Sequence, residues 1–383
     1  MPNYFLRNGL MLACICSLTA CSGFFDKDNT PKPSPLVSFK QQIRPHLAWK
    51  TSTGNGAGSE YLKLSPSMND HAIFTSSTKG TVTSTAKTNG RVNWQRNTGY
   101  MLTTGPGAGD GIVAIGSMHG NIVALDEANG NIRWTSSING ELIANPAVRN
   151  NRVIVKAMDG TVTALSTKDG HQLWTFKQSE PDLVLRGSST PVIRDDVVIA
   201  GFANGNLASA SLSSGQIRWV QQLATPEGAF AIERMIDIDA DPVIYGHRIF
   251  AATYQGNIAS LDWRGGRQLW SHKLSSYTGM TADDNAVFVT DAESNVWSFG
   301  NDSGLVNWRQ TDLAARNISG PADMGRYVVV GDAEGYLHWL DKTSGKFAAR
   351  EYLGGAILAK PLTDGQTMYV LSSSGTLAAY QLG

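Results

Sequence analysis

Cysteine is scarce in this chain, and its three occurrences, Cys14, Cys16 and Cys21, all lie close to the N-terminus. Cys14 and Cys16 lie in an apolar stretch with the composition of a secretory signal, so we expect them to be removed with it. Cys21 is then the only cysteine of the mature chain, which excludes an internal disulfide.

The chain also lacks an excess of charge of either sign. It contains 32 Lys plus Arg and 32 Asp plus Glu, so its formal net charge is zero. A protein that binds nucleic acid by its phosphates is typically basic. The balance of charge therefore predicts no nucleic-acid partner.

Catalytic and metal-binding motifs are missing as well. The seven histidines are scattered, and neither an HExxH motif nor a G-x-S-x-G elbow occurs. Asp237, Asp239 and Asp241 alternate along the chain, but they lack the Gly and the distal Glu of an EF-hand loop. We therefore predict no catalytic residue, no metal site and no cofactor.

Long hydrophobic runs are limited to one stretch at the N-terminus. Arg7 precedes the apolar residues 9–18, a run too short to span a membrane, so residues 1–20 are predicted to be a signal peptide. Residues 18–21 (LTAC) resemble the bacterial lipobox, which implies cleavage before Cys21 and acylation of that cysteine. The alternative is an ordinary signal peptide followed by a coincidental cysteine.

The segment that follows, residues 21–38, is rich in Pro, Ser and charge, which predicts a flexible tether. Ser22 stands directly after the cysteine. In lipoproteins of this type, Asp at that position resembles a signal for retention in the inner membrane, so Ser indicates the outer membrane. We expect the chain to be lipid-anchored at the periplasmic face of the outer membrane.

A repeat fills most of the remaining sequence. Residues 120–134 read GNIVALDEANGNIRW, and seven related stretches occur at spacings of 38 to 51 residues. The full pattern has a leading Gly, a second Gly ten residues later and a Trp fourteen residues later. Ser294 replaces the leading Gly in one copy, Ala349 replaces the Trp in another, and the last copy is a front half only. A period near forty built from short strands predicts a propeller of four-stranded blades.

Alternation of apolar with small or polar residues inside the repeat predicts two strands joined by a tight turn at the second Gly. We interpret them as the third and fourth strands of a blade, with the first two in the residues before the leading Gly. The Trp then lies on the outermost strand, where an indole can fill the wedge between neighbouring sheets; stacking on a ligand would need it on the central channel. These structural blade tryptophans are Trp49, Trp94, Trp134, Trp174, Trp219, Trp270 and Trp308.

The two ends of the repeat region complement one another. The stretch around Trp49 has no first strand before it, and the C-terminus ends after a third strand without a fourth. We predict that the Trp49 strand closes the blade that begins near Ala359. Residues 39–383 are then one all-β domain, an eight-bladed β-propeller of four-stranded antiparallel blades.

Three connections between blades are longer than the others. Trp174 to Pro191 is 17 residues and Trp219 to Pro242 is 23 residues. All connections from an outermost to an innermost strand lie on one face of a propeller, so these two consecutive insertions should be neighbours. The third long connection, residues 50–65, is Gly-rich, and we interpret it as a plain flexible loop.

The two insertions have the composition of a protein-binding surface. Leu183, Leu185 and Arg186 place apolar side chains beside a charge, and residues 236–241 alternate three carboxylates with apolar residues. The alternative is that the two leucines tuck under the loop and that Arg186 neutralises the aspartates. Both can hold together, with an Arg–Asp pair shaping the surface.

One unit of the repeat, with Ala124, Leu125, Asp126, Gly130 and Trp134, resembles the repeat of the quinoprotein dehydrogenases, which are eight-bladed propellers. Those enzymes are longer and usually carry an adjacent Cys-Cys and a calcium-bound quinone. Neither the cysteines nor an evident ligand set occurs here, so the resemblance supports the fold more than the chemistry.

The whole chain more closely resembles the BamB family, lipoproteins of the bacterial outer-membrane β-barrel assembly (BAM) complex. The resemblance covers the lipobox, the tether and all eight blades, and its most specific motifs are L-x-L-R-G at residues 183–187 and D-x-D-x-x-P at residues 237–242. It implies a protein without enzymatic activity. It also implies that the central subunit BamA is bound, through its periplasmic (POTRA) domains, by Leu183, Leu185, Arg186, Asp237 and Asp239.

Two hypotheses on function follow, and a third possibility, a propeller that binds cell-wall material or another lipoprotein, stays open. In the first, the chain is a non-enzymatic scaffold, a monomer within a hetero-oligomer, that docks on BamA and helps to deliver unfolded outer-membrane protein precursors. Extended precursor chains could add to the exposed edges of blades. In the second, it is a quinone-dependent (PQQ-type) periplasmic dehydrogenase, and the purified protein given the quinone and calcium would show a bound chromophore and turnover.

Overall fold

Each full copy of the repeat forms the third and fourth strands of one antiparallel sheet, and eight such sheets make an eight-bladed β-propeller in the computed structural model. The structure describes residues 31–58, 62–187 and 189–382. Within these ranges the only helical segment is the 3₁₀ turn Ala231–Arg234, and no helix is long and apolar enough to span a membrane. The predicted fold class and blade number are confirmed. The predicted signal peptide and Cys21 lie outside the described residues.

Seven blades are continuous in sequence, and their strands are ordered from the first to the fourth. Blade 1 consists of Ser67–Met68, Ala72–Ser76, Thr81–Ala86 and Val92–Asn97. Blade 2 consists of Gly107–Gly109, Ile112–Gly116, Asn121–Asp126 and Ile132–Ser137. Blade 3 consists of Ala147–Arg149, Arg152–Lys156, Thr161–Ser166 and Gln172–Lys177. Blade 4 consists of Val192–Arg194, Val197–Gly201, Asn206–Ser211 and Ile217–Gln222. Blade 5 consists of Val243–Tyr245, Arg248–Ala252, Asn257–Asp262 and Gln268–Lys273. Blade 6 consists of Met280–Ala282, Ala286–Thr290, Val296–Gly300 and Val306–Gln310. Blade 7 consists of Ala322–Met324, Tyr327–Gly331, Tyr336–Asp341 and Phe347–Tyr352.

Blade 8 joins the two ends of the propeller. Its strands are Leu362–Asp364, Thr367–Leu371, Thr376–Gln381 and, as the outermost, His46–Ser52 from the N-terminal side. Trp49 pairs with Ala379 in this antiparallel ladder. The predicted closure is confirmed, and the ring is held shut by main-chain hydrogen bonds between distant parts of the chain.

The core lies between adjacent blades. In blade 2 the second strand, Ile112–Gly116, is wholly buried, whereas the fourth, Ile132–Ser137, is mostly exposed apart from Trp134. The buried side chains of the second and third strands pack against those of blade 3, including Val153 and Leu165. Because neighbouring blades cover both faces of the inner strands, side chains on both faces of these strands are buried.

The constant spacing of Trp and Gly among the copies of the repeat corresponds to a contact between neighbouring blades. Trp94 Nε1 donates a hydrogen bond of 2.9 Å to the carbonyl of Glu127. Gly130 has φ +72° and lies so close to the indole that a Cβ there would be 2.6 Å from the ring. The same indole bond joins Trp49, Trp134, Trp174, Trp219, Trp270 and Trp308 to the carbonyls of Lys87, Thr167, Leu212, Arg264, Asn301 and Lys342.

Part of the segment predicted as a flexible tether, residues 34–38, is bound to the propeller. The main-chain carbonyl of Ser34 accepts a 2.8 Å hydrogen bond from Nη1 of Arg316. The carbonyl of Val37 accepts a 3.0 Å bond from Nη1 of Arg350. Charge-assisted bonds to two arginines therefore hold this stretch of main chain in place.

The described residues of the Gly-rich connection before blade 1, 53–58 and 62–65, are packed against the propeller, so its interpretation as a plain flexible loop is wrong. The amide of Thr53 donates to the carbonyl of Gly375 at 2.9 Å, and Ala57, Leu62 and Leu64 form a small buried cluster. Glycine permits this packing because the chain approaches the main chain of blade 8 too closely for a side chain.

Candidate functional site

The two insertions noted in the sequence flank blade 4 and contact each other. Residues 178–191 connect blade 3 to blade 4, and residues 223–242 connect blade 4 to blade 5. Asp237 Oδ1 accepts a hydrogen bond of 2.9 Å from the amide of Leu185. Asp239 lies against Gly187, where a Cβ would be 2.6 Å from the carboxylate Oδ2. The main chain of the first insertion therefore rests on carboxylates of the second.

A third carboxylate and two main-chain bonds complete this arrangement. Asp241 Oδ1 accepts a 2.6 Å hydrogen bond from the amide of Thr190. The second insertion is itself anchored on both flanking blades, because Ile238 donates to the carbonyl of Phe202 at 3.1 Å and Tyr254 donates to a carbonyl of the insertion at 2.8 Å. The main chain that carries the aspartates is therefore held by hydrogen bonds to both flanking blades.

The carboxylates form a buried cluster with a lysine. Asp237 is 1% exposed and Asp239 is 7% exposed. Burial raises the pKa of Asp237 and of Glu180 to about 7, and that of Asp239 to about 6. The buried ammonium of Lys156, which donates to the carbonyl of Gly201, opposes the rise for Glu180 and Asp239. Burial therefore shifts the pKa of each of these three carboxyl groups toward neutral pH.

One carboxylate oxygen of this cluster accepts no hydrogen bond from the described residues. Oδ2 of Asp237 is buried and has no hydrogen-bond partner among the residues that the structure describes. Over the same part of the chain, no group of three or more His, Cys, Asp or Glu side chains is arranged to hold a metal ion. The geometry is that of a support for the neighbouring loop.

The five residues singled out in the sequence lie together, but at two different depths. Leu183 is 46% exposed, the side chain of Arg186 is 53% exposed, and Leu185 is half-buried. Asp237 and Asp239 lie beneath them. A partner that touches this surface therefore meets Leu183 and Arg186 rather than the aspartates.

Arg186 forms no ion pair with the described aspartates of the second insertion, so the alternative in which it neutralises them is wrong. Nη2 of Arg186 contacts Oε1 of Glu141 at 3.0 Å, a residue that precedes the first strand of blade 3. The aspartates instead accept from main-chain amides, and the buried positive charges beside them belong to Lys63 and Lys156.

Sequence reasoning missed two exposed apolar residues in the second insertion. Phe230 and Ile232 are 68% and 61% exposed at the 3₁₀ turn. Oε2 of Glu233 accepts the amide hydrogens of Ala229 and Phe230 at 2.9 and 3.1 Å, which fixes the turn. An apolar pair inside an insertion already recognised as unusual was the signal that could have found them.

Comparison with known proteins identifies one family. The family model described as "Outer membrane protein assembly factor BamB" matches residues 78–310 and 292–382. Relatives of that name are 41% identical in Legionella pneumophila (strain Paris), covering 96% of this chain and 97% of the relative, and 40% identical in Pseudomonas aeruginosa, covering 98% and 99%. The one from Escherichia coli (strain K12) is 31% identical, covering 96% of both chains.

Solved structures agree on the fold. The crystal structure of BamB from Moraxella catarrhalis matches with a TM-score of 0.81 at 25% identity, covering 88% of this chain and 100% of that one. A quinohemoprotein alcohol dehydrogenase from Pseudomonas putida HK5 matches with a TM-score of 0.73 at 12% identity, covering 90% of this chain and 77% of that one. At that identity the enzyme shares the fold alone.

Proposed function

Because the chain belongs to the BamB family of outer membrane protein assembly factors, we propose that it is a scaffold of the BAM complex that binds BamA. Its curated relatives are named as assembly factors and not as enzymes, and the chain has no enzymatic activity. The quinone-dependent alternative is supported only by a shared fold, which carries no chemistry by itself.

The observation that carries the BamA contact is a loop that exposes Leu183 and Arg186 while Asp237 holds its main chain from below. A loop that is already ordered loses less conformational entropy when it meets a partner. We assign the contact itself to Leu183 and Arg186, with Leu185 at its inner margin. Asp237 and Asp239 are positioning residues that act through the loop.

The partner surface on BamA would be one of its periplasmic (POTRA) domains, with an apolar patch beside an acidic group. Leu183, Phe230 and Ile232 supply exposed apolar area on neighbouring insertions, and Arg186 supplies a charge with free donors. Apolar anchors surrounded by polar groups are the usual composition of a protein–protein contact.

Anchoring and precursor binding complete the proposal. Acylation of Cys21 after removal of residues 1–20 would hold the propeller at the periplasmic face of the outer membrane, through a tether within residues 21–38. Unfolded precursors would add as strands to the exposed outer edges of blades, where apolar side chains such as Ile132 and Val220 are accessible. A cross-linking map without any contact between precursors and outer strands would remove this last step.

A pull-down from detergent-solubilised envelopes tests the BamA contact. The bait is residues 33–383, one compact unit that contains all eight blades. Arg186→Glu is compared with Arg218→Glu, which alters another exposed arginine with a single ion pair, to Asp196 on the same blade 4. Circular dichroism first verifies that both variants are folded.

We expect wild type and Arg218→Glu to retain BamA and Arg186→Glu to lose it. Retention by all three chains would mean that the contact lies elsewhere on the propeller. Failure of the wild type itself to retain BamA would contradict the assembly-factor proposal.

A further inference from the structure

A cavity of about 640 Å³ lies at one end of the central channel. Most of its lining comes from residues just before, or at the start of, the first strand of seven of the eight blades. A volume of this size is typical of sites that enclose a small organic ligand. Leu185, Arg186 and Gly187 of the first insertion also line it, so the cavity adjoins the loop that exposes Leu183.

Much of the cavity wall is apolar. Leu64, Ile143, Val192, Tyr254 and Met280 contribute to it, each from a different connection or blade. Such a wall favours an apolar ligand body because burying the ligand's surface removes it from water. The apolar side chains alone would not orient a ligand. The polar groups of the wall therefore determine which class of ligand would bind.

Two ammonium groups stand in this wall. Lys63 donates to the main-chain carbonyl of Tyr277, and Lys360 donates to that of Met280 at 2.7 Å. An ammonium has three N–H donors, and among the described residues each lysine has one carbonyl acceptor. Because the two carbonyls are three residues apart on one segment, the ammonium groups flank the same part of the wall.

The carboxylates of the wall are already engaged by the protein. Asp241 accepts the amide hydrogen of Thr190, and Asp239 is buried between Lys156 and Lys63, both of which act on it electrostatically. Lys63 faces Asp239 and Asp241, and Lys360 faces Asp241, so the lysines are balanced only in part. The guanidinium of Arg186 also lines the cavity, which gives three cationic side chains against two carboxylates, and this excess of positive charge favours an anion. Burial lowers the pKa of both Lys63 and Lys360, so each gains from an anionic neighbour.

We propose that the channel cavity binds a small amphipathic anion, an apolar body bearing a carboxylate or sulfonate, with the charged end held by Lys63 and Lys360. The apolar body lies against the leucine, valine and methionine side chains of the wall. Hydrogen bonds to an ionised group inside a cavity of low polarity are strong, so the two lysines, together with the nearby Arg186, determine the sign of charge that the site accepts.

Two matched fluorescent probes test the proposal on residues 33–383. 8-Anilinonaphthalene-1-sulfonate has an apolar body with an anionic end, and N-phenyl-1-naphthylamine has the same rings without the sulfonate. We expect one saturable site for the sulfonate, bound about tenfold more tightly than the neutral probe. Equal affinity of the two probes, or no saturable binding, would overturn the proposal without any need for a variant.

Variants then locate the site. Lys63→Met with Lys360→Met should weaken the sulfonate about tenfold and leave the neutral probe unchanged. Lys177→Met, an exposed lysine paired with Asp159, should change neither. If the sulfonate is lost instead in Phe230→Ser, the probe binds the exposed surface and the channel assignment is wrong.

Discussion

The amide of Leu185 donates its hydrogen to Oδ1 of Asp237, a carboxylate that is almost wholly removed from solvent. This bond joins two insertions that are 52 residues apart in sequence. It makes the conformation of an exposed loop depend on a residue that no partner can touch. Substitution of a buried aspartate and substitution of an exposed residue of the loop should therefore have different consequences.

Asp237→Ala should weaken BamA binding at least tenfold, whereas Asp237→Asn should stay close to wild type. Asparagine keeps an acceptor for the amide of Leu185, but alanine leaves that amide unpaired at a cost of about 1–3 kcal/mol. Hydrogen exchange at Leu185 should be fast only in the alanine variant. If asparagine weakens binding as much as alanine does, the charge itself contacts the partner.

Stability should fall as the pH rises toward neutrality. Burial raises the pKa of Asp237 and of Glu180 to about 7, so the folded chain keeps protons that an unfolded carboxyl releases near pH 4. These two groups therefore contribute most to the free energy of unfolding at the low-pH end of this window. Their contribution decreases as the pH rises and is lost once the pH has passed about 7. Lys156 and Asp239 face the same cluster and modulate the slope.

Urea denaturation between pH 5 and pH 8 measures this effect. Asp237→Asn cannot titrate at that position, so its free energy of unfolding should decline less over the range than that of wild type. The comparison reports the titration of Asp237 together with its effect on the neighbouring carboxylates Asp239 and Glu180, because the rest of the chain is shared. Parallel curves for the two proteins would show that Asp237 does not titrate in this range.

Gly130→Ala should destabilise the propeller more than Gly246→Ala. Both glycines have positive φ, so alanine at either carries a conformational cost of roughly 1 kcal/mol. A Cβ on Gly130 would also collide with the ring of Trp94, whereas Gly246 has no atom within 4 Å of the added carbon. Equal losses in urea denaturation would mean that the indole contact contributes nothing.

Arg316→Met should cost about 3–5 kcal/mol, far more than Arg218→Met at a surface pair. Arg316 and Asp332 are 2% and 0% exposed, with Nη2 and Oδ2 2.7 Å apart, so the variant leaves a buried carboxylate without its cation. It also removes the donor to the carbonyl of Ser34. Urea denaturation measures the loss, and cleavage by a protease near residue 34 should become faster.

Similar small losses in the two arginine variants would contradict a structural role for the buried pair. Unchanged protease resistance near residue 34, together with a large loss of stability, would show that other contacts hold the N-terminal segment.

The repeat made most of the fold predictable. The spacing of Gly and Trp indicated third and fourth strands, and the unpaired half-repeats at the two ends indicated the ladder between Trp49 and Ala379. These predictions succeeded because strand alternation and turn glycines act over a few residues, and because one blade's contacts recur in the next.

The site was only partly predictable. Composition identified both insertions, yet it did not show that Asp237 is buried, that Arg186 pairs with Glu141, or that Phe230 is exposed. Nor did it show that the Gly-rich connection carries Lys63 into the channel. Each of these facts depends on which blades stand next to each other and on the paths that loops take between them.

The sequence by itself determined the blades, their number and their closure, because local periodicity encodes strands and turns. Only the tertiary structure decided which charged groups face solvent and which face each other. A carboxylate exposed in an isolated loop and one buried beneath a second loop have the same local sequence, and the distinction arises when residues 52 positions apart come into contact.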